Sequence, residues 1–580
     1  MSAKIPVIWE MRQPDPSQVR MLARELRVTE LVASLLVNRG LADLAEARAF
    51  LSPRLGALPD PFAMKGMERA VDRIIGALDR RETICVWGDY DVDGVTSAAQ
   101  LIAFFRAIGV AVRNVVPDRF TEGYGLNAAG VAAAAQAGAT LIITVDCGIS
   151  NAAEVDVACD NGADVIIVDH HQVPATLPRA HAILNPMQAD CGYPDKRLAA
   201  CGVTWVLLIA LRSRLRERGW FRARAEPDLR DFLDLTAIGT VADMVPLIGV
   251  NRIITSAGLA RVAASTRPGV RALCQVAAIR PERVSAGAVG FHLGPRINAA
   301  GRMAHASAGV ALMTTEDVAE AAQIAAGVDA YNLERRQVQE EIFQEAVRLV
   351  EEAGDPGARR SIVLARPGWH SGVLGIVASK LVERFHRPTV LLSVEDGLAK
   401  GSARSIKGFR LVAHLELLAE HLVKYGGHDH AAGMTLEVGR VDAFAAAFEA
   451  AARAALDDAH LTRRLRLDSE VPLEWLCDAL YEDTRRLAPY GQGNPEPTFL
   501  ARGAYVFEAR LVGEDRRHVK LRFDGGAGRA IDAIAFGQAA DCPAPGDRVD
   551  LAWIPELNVF RGEAKLEARV KAMRPSTPAG

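Results

Sequence analysis

Thr83-Ile-Cys-Val-Trp-Gly-Asp-Tyr-Asp-Val-Asp-Gly94 joins an apolar run, Thr83 to Trp87, to an acidic turn, and a helical pattern from Val95 to Ile108 follows. That order predicts a strand, a loop and a helix. The unit recurs as Thr140-Leu-Ile-Ile-Thr-Val145 ending in Asp146-Cys-Gly148, and as Asp164-Val-Ile-Ile-Val168 ending in Asp169-His-His171. Continuous apolar strands alternating with helices imply an α/β fold whose parallel sheet is covered on both faces.

Ligands of such sheets gather beyond the carboxyl ends of the strands. Here those ends carry Asp and His: Asp89, Asp91 and Asp93 alternate along one segment, Asp146 ends a second strand, and Asp169, His170 and His171 end a third. Concentrated carboxylates with imidazole and no thiolate favour Mn²⁺ or Mg²⁺, with room for two ions, and point to phosphoester hydrolysis. An EF-hand reading of Asp-Tyr-Asp-Val-Asp-Gly fails, because no acidic residue stands at the twelfth position and an apolar strand precedes the loop. Taken singly, Asp146 reads as a helix N-cap and the His pair as solvated surface; the conjunction of three strand ends carries the metal reading.

The chain has 580 residues, too many for one core, so about three or four domains are expected. With 50% hydrophobic and 24% charged residues it is a globular composition, and the net charge of −3 excludes a global basic field. Any polyanion site must be a local patch. The 8 cysteines include no CxxC pair, which excludes zinc ribbons and suits a reducing compartment. With no signal-like N-terminus and no apolar run of about 18 residues, a cytoplasmic protein without a membrane role is expected.

Residues 1–60 read as an N-terminal helical appendage, 61–315 as the catalytic α/β domain, 316–353 as a long connecting helix and 354–460 as a smaller α/β domain. Residues 461–580 read as a five-stranded barrel of short strands.

The motifs Asp89-Tyr-Asp-Val-Asp-Gly94, Asp146-Cys-Gly148, Asp169-His-His171 and Thr240-Val-Ala-Asp-Met-Val245 resemble the four motifs of the DHH phosphoesterases. Gly294-Pro-Arg-Ile-Asn-Ala-Ala-Gly-Arg-Met303, Gly401-Ser-Ala-Arg-Ser405 and Gly426-Gly-His-Asp-His-Ala-Ala-Gly433 narrow the resemblance to the RecJ branch, over about residues 60 to 575. It implies a DHH domain, a DHHA1-type domain and an oligonucleotide-binding barrel. It also implies a single-strand-specific 5′ to 3′ exonuclease of DNA repair and recombination that threads its substrate between two α/β lobes. Asp91 and Asp146 would serve one metal, and Asp93, Asp146, His170 and Asp243 the other, with Asp146 bridging. Asp89 stands where relatives place His or Asp. His171 would face the substrate phosphate, with cation-activated water as nucleophile. A helicase and a single-strand-binding protein are the expected partners. A phosphodiesterase of short oligoribonucleotides or cyclic dinucleotides, and a non-catalytic replication scaffold, are the alternatives.

For substrate contact, the expected residues are Arg296, Asn298 and Arg302, then Ser371, Arg404 and Ser405, and Gly427 with His428. The Gly426–Gly433 stretch is expected to open a helix whose N–H groups face an anion. On the barrel, Arg463 to Arg466, Arg516 and Lys520 would meet phosphates, and Tyr505, Phe507 and Phe560 are candidate platforms for bases.

Overall fold

The computed structural model describes residues 7–117, 122, 125–303, 307–526, 528–560 and 563–576. Two compact units result. One comprises Met11–Gly301, Ala306–Ala326 and Arg466–Gly580, and the other Met1–Glu10, Arg302–His305 and Gly327–Leu465.

The first unit holds a wholly parallel sheet of β1 (Thr83–Gly88), β2 (Arg113–Val115), β3 (Ala139–Val145), β4 (Asp164–Val168) and β5 (Ala182–Leu184), in the order β2-β1-β3-β4-β5. The apolar runs become strands because both faces are covered: Ile84 to Trp87, Leu141 to Val145 and Val165 to Val168 are buried. The short edge strands β2 and β5 carry no comparable run. The order reverses between β1 and β3, which opens a crevice at their carboxyl ends.

The same unit contains a closed barrel of five strands, Phe499–Val512, His518–Asp524, Ala530–Ala535, Arg548–Phe560 and Glu563–Pro575, sealed by pairing of the first with the fourth. Three of them are long, at 14, 13 and 13 residues. Phe499, Phe523 and Trp553 fill the barrel, and Val32, Leu35, Leu36 and Phe50 of the N-terminal helices continue the same core. The N-terminal segment is therefore part of the barrel's hydrophobic core. Arg252, 2% exposed, donates to the carbonyls of Phe50 at 2.7 Å, Leu487 at 3.0 Å and Ala488 at 2.8 Å.

The other unit has a mixed sheet in the order Lys424–Gly427, Ala431–Glu437, Leu398–Arg404, Thr389–Glu395, Ile362–Pro367, of which only the last pair is parallel. Residues 426–433 form its edge hairpin. The helix expected to open there does not exist, because Ala432, Met434 and Leu436 bury alternate positions, the two-residue period of a strand. The helix Val318–Glu352 runs for 35 residues. No described helix is long and apolar enough to cross a membrane.

Candidate metal centre and substrate residues

Asp89 follows β1, Asp146 follows β3 and Asp169 follows β4, so the crevice is lined by carboxylates. Asp91 is the N-cap of the helix Val92–Ala107, its Oδ1 accepting from the N–H groups of Asp93 at 2.8 Å and Gly94 at 3.2 Å. Gly94 is required by close approach: a Cβ there would lie 2.6 Å from the Asp89 carbonyl oxygen. Asp146 holds φ at 62°, the left-handed region that a non-glycine residue seldom adopts. Asp243 arrives from elsewhere, as the C-cap of the helix Leu233–Ala242, and Met244 after it is also left-handed, with φ at 61°. Strain of this kind collects at functional sites.

Among the described residues, three overlapping sets of donors occur, the atoms of each set lying within 4.8 Å of one another: Asp89, Asp91 and Asp146; Asp93, His170 and Asp243; and Asp146, His170 and His171. His170 Nε2 stands 3.3 Å from Asp146, 3.7 Å from Asp243 and 3.8 Å from Asp93. Burial, reinforced by Asp91, Asp93, Asp89 and Asp243, holds the Asp146 carboxyl well above the usual carboxylate range. Asp243 and Asp93 are raised as well, first by burial. Burial holds His170 below the usual imidazole value. Its Nε2 and Asp243 Oδ2 are buried without a hydrogen-bond partner among the described residues. Buried carboxylates that repel one another around a neutral imidazole lone pair are the donor set of a hard or borderline divalent cation, and the residues fit Mn²⁺ or Mg²⁺. Asp146 belongs to two of the sets, the position a bridging carboxylate requires.

A further layer positions these donors. Asp169, 1% exposed, accepts from the N–H groups of His170 at 2.7 Å, His171 at 3.0 Å and Ile149 at 3.0 Å, and its Oδ1 lies 2.7 Å from His171 Nδ1. Burial opposes its ionisation, yet the His171 ring and N–H, with the nearby His170 ring, bring it down to about 2. The same contact raises His171 against the effect of burial. Asp93 accepts from Ala200 N–H at 2.6 Å and Cys201 N–H at 2.8 Å, at the start of the helix Ala200–Glu217, where the macrodipole favours an anion. The reading from sequence missed those two amides, since only the small residues at Ala199-Ala200-Cys201-Gly202 hint at close approach. It also gave Asp169 no role of its own, although the two-residue spacing to His171 was visible.

The residues expected to touch substrate divide between the units. In the first, Asn298 Oδ1 accepts from Val92 N–H at 3.1 Å, which ties the helix Gly294–Met303 to the acidic loop, and Arg296 donates to the His292 carbonyl at 2.8 Å. Arg516 is exposed in a turn with φ at 51°, and Lys520 is paired with Glu567. Tyr505 and Phe507 meet edge to face at 5.3 Å, with Phe507 52% exposed; the side chain of Phe560 lies outside the described residues. In the second unit, Arg302 donates to the Gly372 carbonyl at 2.8 Å beside Ser371, the exposed first residue of the helix Ser371–Phe385. Arg404 faces Ala431 across the sheet and packs over Gly375, while Ser405 N–H donates to the His430 carbonyl at 3.1 Å. Ser371, Arg404, Ser405 and the hairpin of Gly427 and His428 thus form one neighbourhood. The Ser405 hydroxyl donates to the Phe409 carbonyl at 2.6 Å. Arg464 of the run expected to meet phosphates pairs with Glu10 at 3.5 Å.

Residues 83–240 match the DHH family N-terminal domain, 359–454 the DHHA1 domain and 467–572 the RecJ OB domain. The single-stranded-DNA-specific exonuclease RecJ of Dickeya dadantii (strain 3937) is 40% identical over 559 residues, covering 94% of this chain and 96% of that protein. The protein of the same name from Escherichia coli (strain K12) is 38% identical over 572 residues, covering 96% and 98%. Among solved structures, RecJ of Thermus thermophilus in complex with Mn²⁺ superposes with a TM-score of 0.83 at 32% identity, covering 99% of this chain and 80% of that one. Its complex with Mg²⁺ gives 0.78 at 30% identity, covering 99% and 79%. On the strength of these near full-length matches, this chain belongs to the RecJ family of DHH-type single-stranded-DNA-specific exonucleases.

Proposed function

We propose that this chain hydrolyses single-stranded DNA from its 5′ end, using two divalent cations in the crevice of the parallel sheet. The observation that carries the reading is the convergence of Asp89, Asp91, Asp93, Asp146, His170 and Asp243 on overlapping donor sets within 4.8 Å. Asp89, Asp91 and Asp146 would hold one cation, and Asp93, Asp146, His170 and Asp243 the other. Mn²⁺ or Mg²⁺ bound there supplies Lewis acidity toward the phosphoryl oxygens and a route to activated water at neutral pH.

The protein's own groups do the rest. His171, held by Asp169, presents a cationic donor to a phosphoryl oxygen and stabilises the charge that develops during displacement. Asp93 is fixed by two amides and Asp91 by its own helix, so the donors need little rearrangement to bind. Arg302, Ser371, Arg404, Ser405 and the Gly427–His428 hairpin of the second unit are the residues we infer to grip the phosphate backbone or the 5′ end, and Arg296 and Asn298 are the further contacts we infer in the first unit. The barrel, through Arg516, Lys520, Tyr505 and Phe507, would hold the trailing strand. Because the substrate must be unpaired, a duplex-opening helicase and a single-strand-binding protein are the partners we infer, within repair and recombination.

The test is incubation with Mn²⁺ or Mg²⁺ and 5′- or 3′-labelled single strands, with blunt duplex as control. Mononucleotide release from the 5′ end of single strands alone is expected. Attack confined to di- to pentanucleotides would assign the chain to small-oligonucleotide turnover instead, and metal-independent binding without cleavage would make it a scaffold.

A further inference from the structure

Phe291 and Met244 are large apolar side chains left 82% and 72% exposed. Met244 follows Asp243 directly and is held in the left-handed region, which the surrounding structure must impose. Phe291 stands on a single π-helical turn, Val289–Leu293, a distortion concentrated at functional sites. The two segments abut. A Cβ at Gly290 would lie 3.8 Å from Val241 Cγ1, and one at Gly294 would lie 3.2 Å from Ala242 Cβ and 3.9 Å from Val92 Cγ2. Val241 and Ala242 lead into Asp243, and Val92 sits between Asp91 and Asp93. An aromatic face and a polarizable thioether therefore border the segments that carry three of the carboxylates. Core packing explains neither residue, because both are left exposed, Met244 from the left-handed region and Phe291 from a π-helical turn.

We propose that Phe291, with Met244 on the adjoining segment, forms a stacking platform for the base of a nucleotide near the 5′ end, whose phosphodiester lies at the carboxylate and imidazole cluster. Every nucleobase offers a π face, so this contact grips the strand without reading its sequence. The thioether gives a soft, adaptable flank to a flat ring. The inference rests on the exonuclease reading above.

The full chain with Mn²⁺ is assayed on 5′-phosphorylated oligothymidylate that is intact or carries one abasic residue at the first, second or third position. For the unaltered protein, one of those positions should lower kcat/KM by roughly 5- to 150-fold, the size of one base stacked on an aromatic ring. Phe291→Ala should lose a similar factor on intact strands and become indifferent to that abasic residue. Phe291→Trp should keep both rate and discrimination, and Met244→Ala should lose part of each. The Mn²⁺-induced rise in melting temperature should be the same in Phe291→Ala as in the unaltered protein. Indifference of the unaltered protein to all three abasic positions, or full rate and full discrimination in Phe291→Ala, would overturn the platform while leaving the exonuclease reading intact. Inertness of the unaltered protein toward every single strand would overturn both.

Discussion

Replacing Asp146 by Asn should make the metal-free protein more stable and the enzyme nearly inactive. Asn keeps the volume and tolerates the left-handed φ of 62°, so the change is chiefly one of charge. The donor oxygens of Asp89, Asp91 and Asp146 lie within 4.8 Å of one another, and at an effective dielectric of about 20 two unit charges at that distance repel by about 3.5 kcal/mol. Two such pairs amount to about 7 kcal/mol when all three carboxylates are ionised, and shorter separations raise the figure. Proton uptake relieves part of it, because the folded carboxyl lies well above its ordinary 3.8. The sign follows from that shift. The folded state binds the proton more tightly than the unfolded chain, an advantage complete below pH 3.8 and lost as pH rises through the folded value. The variant should therefore gain about 2 to 4 kcal/mol over the unaltered apo-protein at pH 8, and almost nothing at pH 4. The assay is thermal denaturation in EDTA at both pH values, repeated with Mn²⁺. At 100 times the dissociation constant, bound cation adds about 2.7 kcal/mol to the unaltered protein, and the Asp146→Asn variant should forfeit most of that. Turnover should fall at least about 10²-fold. Equal apo stability at pH 8, or near-native turnover in saturating Mn²⁺, would refute the bridging assignment.

Asp169→Asn should lower activity about 10- to 100-fold with Mn²⁺ binding retained, since it removes the anion that orients His171; a downward shift of the His171 titration by NMR checks the cause. Arg252→Met should cost about 3 to 5 kcal/mol in chemical denaturation, because three carbonyls, those of Phe50 and Leu487 buried, lose their donor together. Deleting residues 464–580 should yield an aggregating, dye-binding chain, since the truncation strips the barrel from Val32, Leu35, Leu36 and Phe50; a soluble, cooperatively melting product would show that the shared core is dispensable. Paired Phe507→Ala and Arg516→Ala should weaken binding of long single strands and flatten its salt dependence by roughly 0.7 in slope, read from titrations at several salt concentrations.

What could be read from sequence was whatever depends on short range. The runs ending at Trp87, Val145 and Val168 declared themselves as strands because burial on both faces demands unbroken apolar residues, and the acidic residues after them could have no packing role there. The two edge strands were silent, at three residues each. Residues 426–433 misled because glycines and small residues are equally at home at a helix start and in an edge hairpin; the alternation of Ala432, Met434 and Leu436 was the better guide. Long-range facts left no local mark. Asp93 meets amides 107 positions away, and Arg252 meets a carbonyl 202 positions away, so neither partner could be named from the pattern around it. Asp243 was visible only through its resemblance to a family motif, being otherwise the unremarkable end of a helix.

The left-handed Asp146 and Met244 and the buried carboxylates all lower the stability of the metal-free fold, and all gather at one end of one sheet. The fold tolerates them because the compensation lies beside them. The strands that deliver Asp89 and Asp146 are among the most completely buried in the chain, the start of one helix answers Asp93, and His171 answers Asp169. Against this stands the mutual repulsion of the clustered carboxylates, in which Asp91, Asp93, Asp89 and Asp243 add to burial in holding the Asp146 carboxyl well above its ordinary range. A divalent cation removes that repulsion, and anything that binds the folded chain alone stabilises it by mass action. Cation binding and folding stability are thus coupled through the same carboxylates that the chemistry needs. It follows that variants weakening the cluster's repulsion should trade activity for apo stability along a single line, whichever of its carboxylates is neutralised.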